Sequence, residues 1–312
     1  LRTGLKRTLR ALLAAAVLAA LAAWWLSRPQ GLATADLPPH DPDPRNGEAL
    51  FHAGGCASCH GEELEGGLEL ATEFGTFRVP NITPDRETGI GGWSTLDFVN
   101  AMKRGVAPDG RHYFPAFPYT SYARMTLTDL LDLKAWLDTF APVAGRVANH
   151  DLRFPWNIRR GVGLWKLRYL DEKPVEALAK DGAPADARPA ARLERGRYLV
   201  ESVGHCGECH TPRDQFGGLD TTRWLAGGPS PESKPGSDGK GKVPNLTPHE
   251  NGLAEWSEKQ IARYLRTGFT PEYDTVGGAM VKVQENLARL SDGDREAIAA
   301  YLKAIPALPD AP

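Results

Sequence analysis

The chain has 312 residues, enough for two domains of ordinary size plus a short additional segment. With 37 basic against 39 acidic residues the net charge is −2, so no overall field favours nucleic acid as a partner. Its 33 glycines and 25 prolines follow no period, which predicts short helices joined by long loops, and the expected fold class is all-α.

In chain order, Arg2, Lys6, Arg7 and Arg10 precede an uncharged apolar run from Ala11 to Leu26. A basic flank before such a run marks a secretory signal or a membrane anchor. The run is short for a span of roughly 20 residues, and Ala20-Leu21-Ala22 could be offered to a signal peptidase. Trp24 and Trp25 close it and Arg28-Pro29 follows, an aromatic belt that favours an uncleaved anchor with the basic flank in the cytoplasm and the rest exported. Pro29, Pro38, Pro39, Pro42 and Pro44 then read as a semi-extended tether that holds the remainder off the bilayer.

From Asn46 one pattern is written twice. Asn46-Gly47-Glu48-Ala49-Leu50-Phe51 and Arg195-Gly196-Arg197-Tyr198-Leu199-Val200 read as short first helices, each with a glycine that lets a second helix cross closely. Then come Cys56-Ala57-Ser58-Cys59-His60 and Cys206-Gly207-Glu208-Cys209-His210, which consume all four cysteines. Two thiols followed directly by a histidine form the attachment signature of a c-type haem. The thiols can be thioether-bonded to the porphyrin, with His60 and His210 as proximal ligands of two irons. A thioredoxin-like redox pair or a four-thiolate zinc site would explain the cysteines but not the histidine in both copies.

Val79-Pro80-Asn81-Ile82-Thr83-Pro84 is echoed by Val243-Pro244-Asn245-Leu246-Thr247-Pro248, and Trp93-Ser94 by Trp256-Ser257. Both serines are expected N-caps with box partners Asp97 and Gln260, and the helices they begin should end at Gly105 and Gly268. The last helix of each copy starts at Thr126 or Ser291, with Asp129 or Asp294 as box partner. Leu130, Leu133, Leu137 and Phe140 share one face of the first, and Ile298, Tyr301, Leu302 and Ile305 one face of the second. Between the copies, 152–170 reads as a packed connector with a short helix, 181–191 as a linker of low order, and 227–242 as a flexible loop. Arg153, Arg159, Arg160, Lys166 and Arg168 form either a basic face for a partner or a solvated one.

Each copy resembles the class I cytochrome c fold, and residues 46–306 are similar to the diheme cytochrome c subunits of bacterial periplasmic dehydrogenases, the alcohol dehydrogenase cytochrome family. The two C-x-x-C-H motifs, the two P-N-[IL]-T-P loops, Pro115-Ala116-Phe117-Pro118-Tyr119 and Gly277-Gly278-Ala279-Met280 carry this resemblance. It implies tandem cytochrome c domains at 46–142 and 191–308, joined by a connector at 143–190 and preceded by an anchor helix at 1–26 and a tether at 27–45. It also implies two covalent haem c groups, on Cys56 and Cys59 and on Cys206 and Cys209. Trp93, Trp256, Asn81 and Asn245 match positions that contact haem propionates in similar cytochromes, or each could simply cap its loop, and Pro212 and Arg213 could orient His210 and meet a propionate.

Met280 matches the family's distal ligand for the second iron. For the first iron, aligning Gly105 with Gly268 puts Phe117 in the slot of Met280, and a phenyl ring cannot bind iron. Met125, just before the last helix, is the expected substitute, although it aligns with Leu290; His112 and an open iron are the alternatives, and Met102 reads as core. The implied function is electron transfer in the periplasm, on the inner membrane, from a dehydrogenase subunit to a downstream cytochrome or terminal oxidase. The chain itself is not expected to be an enzyme, since no nucleotide loop, triad or quinone-cofactor domain is visible; a peroxidase-like diheme enzyme using an open first iron is the alternative.

Overall fold

The computed structural model describes residues 2–173, 187–230 and 241–311. Helix α1 (Arg2–Leu26) stands out from the body, and its stretch Gly4–Leu26 is long and apolar enough to cross a membrane. The following segment is not a free tether. Ser27 is buried, its carbonyl meets His112 Nε2 at 2.8 Å, and Leu32 N–H donates to Asn100 Oδ1 at 2.6 Å. His40 Nε2 lies 2.6 Å from buried Asp132, so the prolines route the chain along the body rather than away from it.

Helix α2 (Pro44–Ala53) begins with Asp43 as N-cap and proline at its first position. The haem-type motif forms the short helix α3 (Cys56–His60). Helix α4 (Thr95–Arg104) carries the full capping box between Ser94 and Asp97 and ends on Gly105 in the left-handed conformation. Helix α5 (Tyr119–Tyr122) and helix α6 (Leu127–Leu137) follow, with Leu130, Leu133 and Leu137 buried and Phe140 beyond the helix end. Helix α7 (Arg159–Tyr169) occupies the connector.

The same order then recurs. Helix α8 (Ala187–Tyr198) runs into a wider turn of helix at Leu199–Val203, and the second motif forms helix α9 (Gly207–His210). Helix α10 (Glu258–Thr267) has its capping box at Ser257 and Gln260 and ends on left-handed Gly268; helices α11 (Met280–Leu287) and α12 (Asp292–Ala304) complete the chain. Residues 187–191, expected to be linker, are the start of α8, and the low-order reading of 181–186 lies outside the described residues.

Gly47 and Gly196 mark the helix crossings. A Cβ on Gly47 of α2 would lie 2.1 Å from the Asp132 carbonyl oxygen of α6, and one on Gly196 of α8 would lie 1.9 Å from that of Ala297 of α12. Only glycine lets these backbones approach so closely.

The chain is mostly helical but not all-α. Strands β1 (Glu69–Thr72), β2 (Gly75–Arg78) and β3 (Asp151–Leu152) form an antiparallel sheet in the order β1-β2-β3, and β4 (Gly228–Pro229) pairs with β5 (Lys242–Val243). β1 and β2 make a tight hairpin whose Gly75 adopts φ 123, and Phe77 of β2 packs with Phe114 and Val162. The loop expected over 227–242 is thus paired at its ends; residues 231–240 lie outside the described part.

One continuous apolar core runs through both copies, from Leu50 and Met125 to Leu199 and Ile298.

Candidate functional site: two thiol–histidine motifs back to back

Each motif histidine is held by a proline carbonyl from its own P-N-[IL]-T-P loop. His60 Nδ1 lies 2.8 Å from the Pro80 oxygen, and His210 Nδ1 lies 2.8 Å from that of Pro244. A carbonyl only accepts, so Nδ1 carries the proton and Nε2 presents its lone pair. Burial pushes His60 down to about 4 and lowers His210 as well, against the opposing carbonyl contact, so both rings are neutral. Burial, reinforced by the second thiol of the same motif, pushes Cys56 and Cys206 up to about 12. Each site therefore combines two neighbouring thiols, the first of them kept protonated by burial, with an imidazole whose Nε2 is available, a donor set that fits a covalently attached haem. No group of three or more His, Cys, Asp or Glu side chains that could hold a metal ion exists among the described residues, which removes the four-thiolate zinc reading.

Asn81 and Asn245 cap their own loops, the alternative to a propionate contact. Asn81 Oδ1 accepts from Thr83 N and Oγ1, each at 2.8 Å, while Nδ2 donates to the Val143 carbonyl at 2.7 Å. Asn245 repeats this with Thr247 N and Oγ1 at 2.8 Å and the Leu308 carbonyl at 2.8 Å. Both amides are buried and spent inside the protein. They fasten the loop to the segment after the last helix, and so fix the proline carbonyls that orient His60 and His210. Thr83, Thr247, Val143 and Leu308 belong to this device; the repeated Asn-x-Thr was its only trace in the sequence.

Trp93 and Trp256 are half-buried against the core, and neither indole N–H donates to a protein atom among the described residues. They stay available to a propionate. Arg213 is engaged within its own motif, its guanidinium donating to the Glu208 carboxylate at 2.6 Å and to the Gly217 carbonyl at 2.8 Å.

The two distal slots are equivalent in backbone and different in chemistry. After α4, Tyr113 N donates to the Gly105 carbonyl and Ala107 N to that of Arg111; after α10, Val276 N donates to Gly268 and Thr270 N to Asp274. This matched hairpin register carries Phe117 onto Met280. Met280 opens α11, half-buried against the core. Phe117 instead joins an aromatic run, with ring centroids 5.6 Å from Tyr113 and 5.8 Å from Tyr122, and Tyr122 stands edge-on to His205 at 5.5 Å. Met125 N donates to the Tyr122 carbonyl as Leu290 N does to that of Leu287, and Met125 is 2% exposed, so it fills the place of a core leucine. His112 has both ring nitrogens engaged, Nε2 by Ser27 O and Nδ1 by Lys166 Nζ at 3.1 Å, and Met102 is core on α4.

The two motifs meet across a near-symmetric junction. A Cβ on Gly54 would lie 3.4 Å from the Val203 carbonyl oxygen, one on Gly204 would lie 3.3 Å from that of Ala53, and His205 Nε2 lies 3.1 Å from the Gly54 carbonyl. Each motif also holds the opposite distal segment. Glu208 accepts from Thr120 at 2.8 Å and Ser121 at 3.2 Å, just after Phe117, while Ser58 Oγ accepts from Asn286 Nδ2 at 3.1 Å, one turn and a half after Met280. Buried Glu201 adds an ion pair to Arg124 at 2.7 Å.

Comparison with known proteins agrees with this geometry. Residues 44–141 match the cytochrome c family model. The chain is 47% identical to a diheme cytochrome c-type protein of Cereibacter sphaeroides, over 97% of this chain and 100% of that one. It is 37% identical to the gluconate 2-dehydrogenase cytochrome c subunit of Pantoea cypripedii, over 88% of this chain and 62% of the relative, and 34% identical to the cytochrome c subunit of the quinone alcohol dehydrogenase of Gluconobacter oxydans, over 85% and 55%. It thus spans little more than half the length of these dehydrogenase subunits. With two thiol–histidine motifs in place and a relative aligned from end to end, the chain belongs to the family of diheme c-type cytochromes that includes the cytochrome subunits of these dehydrogenases.

Proposed function

We propose that this chain is a membrane-anchored electron relay made of two cytochrome c domains, 46–142 and 191–308, each carrying one haem c. Electrons enter from a periplasmic dehydrogenase subunit and leave to a downstream cytochrome or terminal oxidase, with α1 holding the protein in the inner membrane. Haem supplies a reversible one-electron couple; the chain's residues attach it, orient its proximal ligand and exclude water. Cys56, Cys59, Cys206 and Cys209 would form the thioethers, His60 and His210 the proximal bonds through Nε2, and Met280 the distal bond of the second iron. Met125 would have to leave the core to serve the first iron.

The observation that carries this reading is the back-to-back placement of the two motifs across Gly54 and Gly204. Two redox centres attached on either side of one backbone contact can exchange electrons without a third carrier. A diheme enzyme would use the same placement to feed electrons to a catalytic iron, but the named relatives are cytochrome subunits, so the peroxidase-like alternative is not favoured.

The test is potentiometry on the full chain solubilised in detergent, followed by stopped-flow reduction with the dehydrogenase that co-purifies with it. Two one-electron steps and reduction of both haems by dehydrogenase plus substrate are expected. Haems that accept no electrons from that dehydrogenase, or substrate oxidation by the isolated chain, would overturn the proposal.

A further inference from the structure

The end of α1 is bolted to the connector. Arg160 Nε donates to Ser27 Oγ at 2.9 Å and its Nη2 to the Trp24 carbonyl at 2.7 Å, with the guanidinium 5.2 Å above the Trp24 ring. Gly163, one turn on, has no room for a Cβ against the Ser27 carbonyl, 2.2 Å away, so α7 lies directly on the helix end. The apolar helix therefore passes into the body without a joint, and whatever plane holds Trp24 and Trp25 also fixes the height of α7.

The surface beside that contact is apolar where a soluble surface would be polar. Val162, Gly163 and Lys166 face inward on α7, and Arg160, Leu164 and Leu167 form the next stripe at i, i+4 and i+7. Leu164 and Leu167 are exposed. Ile158 precedes them, and Phe154, 79% exposed, Trp156 and Phe216 extend the patch; Trp156 stacks edge-on to Phe74 at 4.9 Å, and Trp165 ties α7 to the Phe216 carbonyl at 2.9 Å. The basic face read from the sequence is largely absent: Lys166 is buried, Arg159 donates to the His112 carbonyl and Arg160 grips α1. Arg153 and Arg168 remain exposed at the two ends of this stretch, and Arg28 lies over the Trp25 ring at 3.6 Å.

We propose that this patch rests in the headgroup layer of the bilayer, so that α7 and the Phe154–Ile158 turn form a second, interfacial membrane contact beside α1. The inference rests on the anchor reading of α1. It commits to lipid rather than to a protein partner because the stripe starts on the residue that clamps Trp24, at the level of the aromatic belt. Exposed aliphatic and aromatic side chains with scattered arginines also suit a layer that is apolar below and anionic above.

The experiment is photo-crosslinking of the full chain in native membranes, with the photoreactive residue p-benzoyl-phenylalanine placed singly at Phe154, Leu167, Val17 or Tyr273. Val17 lies mid-span in α1, and Tyr273, exposed on the hairpin after α10, is the control. Lipid adducts at 154 and 167 on the order of ten-fold above those at 273, together with adducts at 17, are expected. Adducts at 17 but only background or protein adducts at 154 and 167 would overturn the interfacial contact and leave the anchor standing. Absence of lipid adducts at 17 would overturn the anchor reading and the interfacial contact with it.

Discussion

Replacing Gly196 by alanine tests the helix crossing that positions the second motif. The new Cβ would lie 1.9 Å from the Ala297 carbonyl oxygen, well over an ångström inside ordinary contact, and 2.5 Å from its carbon and 2.9 Å from Tyr301 Cβ. Two of these atoms are backbone, so a rotamer change cannot relieve the clash and α8 must move off α12. Overpacking of this kind costs about 3 kcal/mol at the upper end of its usual range, and alanine returns about 1 kcal/mol of helix propensity. The expected net loss is about 2 kcal/mol, read as a lower urea midpoint at unchanged slope by far-ultraviolet circular dichroism. Gly47→Ala, 2.1 Å from the Asp132 carbonyl oxygen, should lose a similar amount. Gly161→Ala on α7, with nothing within 4 Å of the added carbon, should lose none. A loss at Gly196 below about 0.5 kcal/mol, the range of ordinary surface substitutions, would refute the close-crossing argument.

Asn245→Ala removes two acceptor bonds and two donor bonds of a buried amide. It should cost about 1–3 kcal/mol and shift the midpoint potential of one haem while the other keeps its value; an unchanged pair of potentials would show that the loop does not orient His210. Phe117→Met should add a methionine–iron charge-transfer signal in the ferric protein and raise one midpoint within the roughly 0.8 V span open to axial ligation. Met125→Leu should leave the spectrum unchanged and cost less than about 1.5 kcal/mol, whereas loss of a low-spin haem in this variant would identify Met125 as a ligand. Burial, aided by Arg104, pushes Lys166 down to about 7 from an ordinary value of 10.5. The folded chain then binds fewer protons than the unfolded chain between about pH 7 and pH 10.5, so this group lets stability rise with pH across that window, by at most about 1.4 kcal/mol per unit. Lys166→Met should flatten that rise, and equal slopes in urea titrations of both proteins would count against it.

What was legible in the sequence was mostly local. The boxes at Ser94 and Ser257 form as read because cap and partner lie within one turn. At Thr126 and Ser291 only the cap bond forms: the Asp129 carboxylate is claimed by Tyr198 and Asn46, and that of Asp294 by Arg195, from elsewhere in the chain. The hairpin of β1 and β2 escaped detection because four-residue strands are too short to show a period, and its turn depends on left-handed Gly75. Lys166 looked like part of a basic face, yet helical spacing sets it with Val162 and Gly163 against the body. For Asn81 and Asn245 the repeat exposed the positions and a loop-capping role, but their partners Val143 and Leu308 lie about 60 residues away in sequence and could not be read.

The residues between the cysteines are the least constrained by attachment chemistry, since only the thiols and the histidine bind the group. That freedom is used at Ser58 and Glu208, which occupy the same place in the two motifs and reach in opposite directions across the junction. The carboxylate falls on the side where the distal slot lacks methionine, and it holds Thr120 and Ser121 beside the aromatic run of Phe117 and Tyr122. The hydroxyl falls on the side where Met280 stands at the head of a continuous helix, and it accepts from Asn286 of that helix. The segment after Phe117 is thus held by a buried carboxylate that also accepts from Arg213, whereas the helix headed by Met280 is held by neutral contacts, Asn286 with Ser58 and His52 and Gln284 with the Leu265 carbonyl. The segment that carries Phe117 is in this way held from the second motif, through a position that attachment chemistry leaves free.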